Sequence, residues 1–114
     1  MILRIEQKSV DPGITVLVLI GKITLGRDSQ QIEMMVQDLL KKEHKKFVLD
    51  MTAVDYIDST GIGIVTYCFG HAKQAGGALR VAGAAGLVRD VFKMSQVDTI
   101  VPFHATLPEA CAAF

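Results

Sequence analysis

The chain predicts an α/β domain, a mixed sheet of roughly four to five strands that opens on a hairpin, with helices packed mainly on one face. Three observations predict it. Two β-rich segments near the start flank an Asp11-Pro12-Gly13 turn, in which proline presets φ and glycine accepts φ > 0. Strand and helix patterns then alternate to the end of the chain. The central helix is apolar most of the way round, as a helix held between a sheet and a neighbouring helix must be.

The elements follow in order. Ile2, Leu3 and Ile5 mix with Arg4, Glu6 and Gln7, the alternation of a half-exposed strand. Ile14–Ile20 is a run of β-branched residues and leucines, a buried strand that Gly21 closes. Thr24–Asp28 is a connector, and Asp28 or Ser29 caps the next helix. Within Ser29–Lys42, Ile32, Met35, Val36, Leu39 and Leu40 fall on one helical face. Lys41, Lys42, Lys45 and Lys46 gather near its end, where the first two suit the negative end of the helix dipole; the cluster reads either as a solvated helix terminus or as a basic docking patch.

Phe47–Met51 is a short buried strand, followed by a connector that ends at Asp58-Ser59-Thr60-Gly61. A helix runs from Ser59 to about Ala75 and carries Ile62, Ile64, Val65, Tyr67, Cys68, Phe69 and Ala72. Gly61, Gly63 and Gly70 weaken it locally and allow close backbone approach, to the sheet or to a partner. Gly76-Gly77 ends it. Ala78–Ala82 is another strand, Gly86–Ser95 a third helix with Leu87, Val88, Val91 and Phe92 inward, and Ile100-Val101 a last short strand. Leu107–Ala113 closes the chain as a helical turn or two with Pro108 at its start. The order is β-β-α-β-α-β-α-β-α.

With 114 residues, no linker and no internal repeat, the chain reads as one domain, 1–114. Half of it is hydrophobic, enough for a core. Twelve basic residues balance twelve acidic ones, which gives no support for binding nucleic acid. The same balance leaves a homodimer open, since little charge repulsion opposes self-association. Cys68 and Cys111 belong to no CxxC or Cys/His cluster and are expected to be small buried apolar residues. The first residues show no signal-peptide pattern, and the apolar run Ile14–Ile20 is too short to span a membrane. The expectation is a soluble cytoplasmic protein without membrane insertion.

Enzyme chemistry finds little purchase. Ile57-Asp58-Ser59-Thr60-Gly61 lacks the first glycine of a nucleophile elbow, and sequence brings none of His44, His71 and His104 to Ser59. The glycines around Gly76–Gly86 match neither GxGxxG nor a P-loop. Asp50, Asp55 and Asp58 lack the spacing of a calcium loop. No catalytic group, cofactor or metal is expected. What stands out is a hydroxyl pair where strand gives way to helix. A helix N-terminus presents unpaired N–H groups and the positive end of its dipole, so an anion carried by Ser59 would be stabilised there. Two readings share these residues: ordinary capping by Asp58, or a hydroxyl that is regulated by phosphorylation.

The stretch from Leu49 to Gly63, LDMTAVDYIDSTGIG, resembles the signature of the STAS superfamily, and within it the chain most resembles anti-sigma factor antagonists. The signature is a strand ending in Asp, a short connector, then Asp-Ser-Thr-Gly, a small aliphatic residue and Gly. Val91–Asp98 is similar to that family's leucine-phenylalanine…serine-glycine-leucine helix end, and Gly21 fits after the second strand. The order of elements agrees over essentially the whole chain.

The resemblance implies a single STAS domain with Ser59 as phosphoacceptor. It implies a partner that is an anti-sigma factor with serine kinase activity. The unphosphorylated form binds this partner and frees a sigma factor, phosphorylation at Ser59 abolishes binding, and a serine phosphatase resets the cycle. Thr24, Asp58, Thr60, Gly61, Ile62 and Gly63 are the expected partner surface. Ile62 is either a small exposed anchor or a core residue. The chain departs from the family pattern at Lys22 and Thr24, where many antagonists carry Gly-Glu-Leu-Asp, and at Gln96, where a glycine is usual. Thr60 offers a second hydroxyl. The alternative reading keeps the fold as a scaffold or accessory subunit of a stress-sensing or lipid-transport complex, with no phospho-switch.

Overall fold

The structure, a computed structural model, describes residues 2–114; Met1, first residue of the expected 1–114 domain, lies outside the described residues. β1 (Leu3–Val10) and β2 (Ile14–Ile23) form the antiparallel hairpin around the Asp11–Gly13 turn. α1 (Arg27–Lys41) then crosses to β3 (Lys46–Ile57), α2 (Ser59–Gln74) to β4 (Ala78–Ala82), and α3 (Gly86–Met94) with a short 3-10 turn (Val97–Thr99) to β5 (Phe103–His104). α4 (Leu107–Ala112) ends the chain. The five strands lie in the order β1-β2-β3-β4-β5, with every neighbour after the hairpin parallel. Each parallel step is a strand–helix–strand unit, as the alternating sequence pattern requires.

Strand alternation sorts the side chains between two faces. On one, Leu17, Leu19, Phe47, Leu49 and Val81 are covered by Ile32 and Val36 of α1, Ile64, Val65 and Cys68 of α2, and Val88 and Phe92 of α3. Fully burying a side chain of this size stabilises the fold by about 1.5–3 kcal/mol, so this face dominates stability. On the other, Ile14, Val16, Val48 and Ala82 pack against Ala110 of α4, with Leu107 and Phe114 at the margin. Three helices on one face and one short helix on the other agree with the expected layering.

Five local expectations are corrected. Gly21 does not close β2: the strand runs on to Ile23 after two register shifts against β3. Gly21 itself takes φ +114, and a side chain there would run into the Ile2 carbonyl, so the irregular strand needs glycine at this point. The stretch Thr52–Ile57 is not a connector but the second half of β3, paired with β2 alone because β4 stops at Ala82 opposite Asp50. Its Thr52, Ala53, Asp55 and Tyr56 are exposed, which breaks the apolar run that marks a buried strand.

Neither Asp28 nor Ser29 caps α1. Gly26 is the N-cap and gives no side-chain bond. The Asp28 carboxylate instead accepts from Ile2 N (3.2 Å) and Leu3 N (3.5 Å), and Ser29 Oγ accepts from Thr24 N (3.1 Å). The last strand is Phe103–His104 rather than Ile100-Val101: the 3-10 turn after Gln96 leaves Ile100 exposed and Val101 in the core before pairing with Val81 and Ala82 begins. Of the two cysteines, both free thiols, Cys68 is buried as expected while Cys111 is half-buried beside α4's contact with the sheet. No helix among the described residues is long and apolar enough to cross a membrane.

Candidate functional site

The end of β3 delivers the chain into α2 through a single residue, Asp58. Its backbone is extended (φ −111, ψ −173), the geometry of an N-cap. One carboxylate oxygen, Oδ1, accepts from Gly61 N at 3.0 Å, and the other, Oδ2, accepts from Leu25 N at 3.4 Å. Asp58 N donates to the Ile23 carbonyl at 3.2 Å, and the Asp58 carbonyl accepts from Ile62 N at 3.1 Å. Asp58 is therefore engaged through its backbone and through both side-chain oxygens. Capping is real here, and it leaves the neighbouring hydroxyl free for other work.

Ser59 is the first residue of α2 and is exposed. Among the described residues its Oγ makes no hydrogen bond. Thr60 beside it is half-buried. Gly61 is buried, and a Cβ built on it would lie 2.5 Å from both the Ile23 carbonyl oxygen and Ile57 Cγ1. The close approach permitted by Gly61 is thus to the sheet. Gly63 differs: it is exposed, and nothing lies within 4 Å of where its Cβ would be. The fold has no steric need for glycine at Gly63. Ile62 is half-buried and packs against the main core, so it is partly anchored and partly presented.

Thr24 lies half-buried in the β2–α1 loop, its N–H donated to Ser29 Oγ. The bond from Leu25 N to Asp58 fastens this loop to the start of α2, so the structure joins Thr24 to the segment Asp58–Gly63 at one end of the sheet. Sequence reasoning passed over Leu25, whose side chain is 76% exposed at that junction. An apolar residue in a Gly-containing connector was the signal, but no periodicity marks it. Lys22, where the family pattern carries an acid, pairs with Asp55 at 3.3 Å and sits 5.7 Å from the centre of the Tyr56 ring.

The histidines are engaged with other groups. His44 Nδ1 shares a 2.7 Å hydrogen bond with Thr15 Oγ1, His104 Nε2 accepts from Arg80 Nη1 at 3.1 Å, and the His71 ring lies 4.2 Å from that of Tyr67. No group of three or more His, Cys, Asp or Glu side chains among the described residues is placed to hold a metal ion. The perturbed thiols take no part in the site: burial, with the Glu33 charge adding, pushes Cys68 up to about 12.

A family model described as STAS domain matches residues 7–110. The chain is 30% identical over 87 residues to BtrV of Bordetella bronchiseptica, a candidate anti-sigma factor antagonist, across 76% of this chain and 75% of the relative. Among solved structures, an anti-sigma factor antagonist from Mycobacterium paratuberculosis superposes with a TM-score of 0.85 at 20% identity, covering 97% of this chain and 92% of the other. The Bacillus cell fate determinant SpoIIAA, solved in its phosphorylated form, superposes with a TM-score of 0.74 at 18% identity, covering 96% and 98%. These two structures share the fold with this chain.

Proposed function

The chain belongs to the STAS domain family, with a relative named as an anti-sigma factor antagonist, and from that premise we propose that it is a binding module switched by phosphorylation at Ser59. In its unphosphorylated form it holds an anti-sigma factor that is itself a serine kinase. The kinase phosphorylates Ser59, the complex dissociates, and a serine phosphatase restores the binding form. The observation that carries the reading is Ser59 itself: an exposed hydroxyl, free of intramolecular bonds among the described residues, at the first position of a helix whose cap is already supplied by Asp58. That SpoIIAA has been solved in a phosphorylated form supports the reading by analogy of fold.

The physics of the switch follows from charge. A phosphoryl group adds about −1.5 to −2 charges at neutral pH. Opposite an acidic group of the partner at ~5 Å, with an effective dielectric near 20, each like-charge pair costs on the order of 3 kcal/mol. That is about two decades of affinity, sufficient for release. Within the module the cost is partly offset, because a helix N-terminus favours an anion. Binding is therefore blocked by charge and bulk at the surface rather than by refolding. Half-burial of Thr60 against exposure of Ser59 supports Ser59 as the acceptor.

Thr24, Asp58, Thr60, Gly61, Ile62 and Gly63 frame the docking surface in this proposal, with Leu25 added. The second reading, a STAS scaffold without a switch, is favoured by Lys22, whose pairing with Asp55 places a cation where antagonists carry an acid. Affinity capture from the source cell separates the two. Wild type retaining a kinase-fold anti-sigma factor that Ser59→Asp loses supports the switch; both forms holding the same transporter or sensor components sinks it.

A further inference from the structure

At the end of β3 remote from Ser59, the start of β4 is ringed by cations. The register places Lys46 opposite Ala78, at the amino ends of both strands, whereas Ser59 follows the carboxyl end of β3. A recess of about 300 Å³ there is lined by Lys45, Lys46, Gly76, Gly77, Arg80 and Phe114. A second hollow of about 200 Å³ shares Gly77 and Arg80 and adds Phe69, Lys73, Leu79 and Pro102. The first volume stands at the lower end of the range of small-molecule sites. The two recesses open on different faces of β4: Arg80 shares the α4 side with Ala82 and Phe114, whereas Leu79 lies on the α2 side with Phe69.

The cations are poorly neutralised. Lys45 Nζ is occupied, donating to the Ala75 carbonyl at 2.6 Å and lying 3.7 Å from Glu43. Lys46 and Lys73 form no ion pair among the described residues. Arg80 is half-buried, yet its contacts are an imidazole and an aromatic ring: Nη1 donates to His104 Nε2 at 3.1 Å, and the guanidinium lies 5.1 Å from the centre of the Phe114 ring. Its Nε–H is buried without an acceptor. A guanidinium held in place, short of acceptors and with no carboxylate partner among the described residues is unusual in a folded protein. Gly76 and Gly77 leave the rim bare of side chains.

We propose that the first recess is a binding site for a small soluble anion, a phosphate ester or similar group joined to an aromatic body. The anionic head meets Lys46 and Arg80, and the body lies against the Phe114 ring. Because the cations line a recess rather than a projecting face, the ligand is a free molecule and not a lipid headgroup. The site is separate from the Ser59 end and does not depend on the function proposed there.

The probe is phenyl phosphate, titrated into the full chain and followed by amide chemical shifts. The expected result is saturable shifts confined to residues around Gly76–Arg80, Lys46 and Phe114. They weaken at least tenfold in Lys46→Glu and in Arg80→Gln, and are unchanged in Ser59→Asp. Lys46→Glu keeps the test valid should Arg80→Gln fail to fold. Shifts scattered over unrelated surface lysines, equal affinity in Lys46→Glu, or no saturation would overturn the proposal. So would co-sedimentation with phosphatidylglycerol vesicles in the absence of phenyl phosphate binding. Partner capture retained in Ser59→Asp with these shifts intact overturns the switch alone, whereas capture lost in Ser59→Asp with no saturable shifts overturns this site alone.

Discussion

Leu25 and Asp58 are joined across 33 positions of sequence by a hydrogen bond from the Leu25 N–H to Asp58 Oδ2, 3.4 Å long. The other oxygen of the same carboxylate caps Gly61 N at 3.0 Å. One side chain therefore ties the β2–α1 loop to the N-terminus of α2. Asp58→Ala removes both bonds, and the lost cap costs about 0.5–2 kcal/mol. The expected readout is a lower urea midpoint with an unchanged slope. Asp58→Asn keeps an acceptor for Gly61 and loses less.

Two glycines of the same helix are expected to respond in opposite directions. Gly61→Ala drives a methyl to 2.5 Å from the Ile23 carbonyl, which is backbone and cannot swing aside, so destabilisation by about 1–3 kcal/mol is expected from overpacking. Gly63→Ala meets open space and removes a helix-weakening residue, so it stabilises the free domain by up to about 1 kcal/mol. If the partner's backbone approaches at Gly63, the same substitution weakens binding while the melting temperature rises. A Gly63→Ala variant that is less stable than wild type would contradict this account.

Leu25 is predicted to act in binding and not in folding. Being 76% exposed, it gives up little core contact on truncation, and Leu25→Ala should leave stability within about 0.5 kcal/mol of wild type. Burial of a leucine at an interface stabilises the complex by about 1.5–3 kcal/mol, so the affinity for the partner should fall by about tenfold or more. Paired unfolding and binding measurements on Leu25→Ala check both halves.

Cys68 makes stability depend on pH at the alkaline end. The fold holds its thiol above the ordinary 9.0, up to about 12, mainly by burial. Because the folded value is the higher one, the unfolded chain releases this proton first as pH rises. The contribution is therefore intact below about pH 9 and is lost progressively between 9.0 and about 12. A thiol reagent applied at mildly alkaline pH should label half-buried Cys111 first and reach Cys68 only as the domain opens. Peptide mapping of the label over time distinguishes the two.

Much of the fold was legible because its signals are local. The hairpin turn at Asp11-Pro12-Gly13, the helical face of Ile32, Val36 and Leu39, and the cap at Asp58 each depend on residues within a few positions of one another. The β3 extension escaped because its partner, Ile20–Ile23, lies more than a helix away and its own residues Thr52, Ala53, Asp55 and Tyr56 face solvent. Asp28 and Ser29 look like caps but serve Ile2, Leu3 and Thr24 instead, contacts that no local pattern reveals. The departure at Gln96 has a physical meaning: the residue takes φ +62, a left-handed backbone where glycine is the natural occupant. Within the site, the position of Ser59 was readable from Asp-Ser-Thr-Gly, whereas the exposure of Leu25 and the burial of Gly61 depend on how the β2–α1 loop and the sheet meet α2.

The central claim is that Ser59 is the switch, and the most direct test is to map phosphate on the chain. The captured partner is incubated with the purified domain and ATP, and the product is examined by peptide mass spectrometry and a binding assay. The account predicts one phosphoryl group, on Ser59, absent from Ser59→Ala, with partner affinity lowered by about two decades in the modified form and amide shifts changed only around Thr24–Gly26 and Asp58–Gly63. Phosphate on Thr60, no phosphate at all, or a phosphorylated form that binds as tightly as before would contradict it.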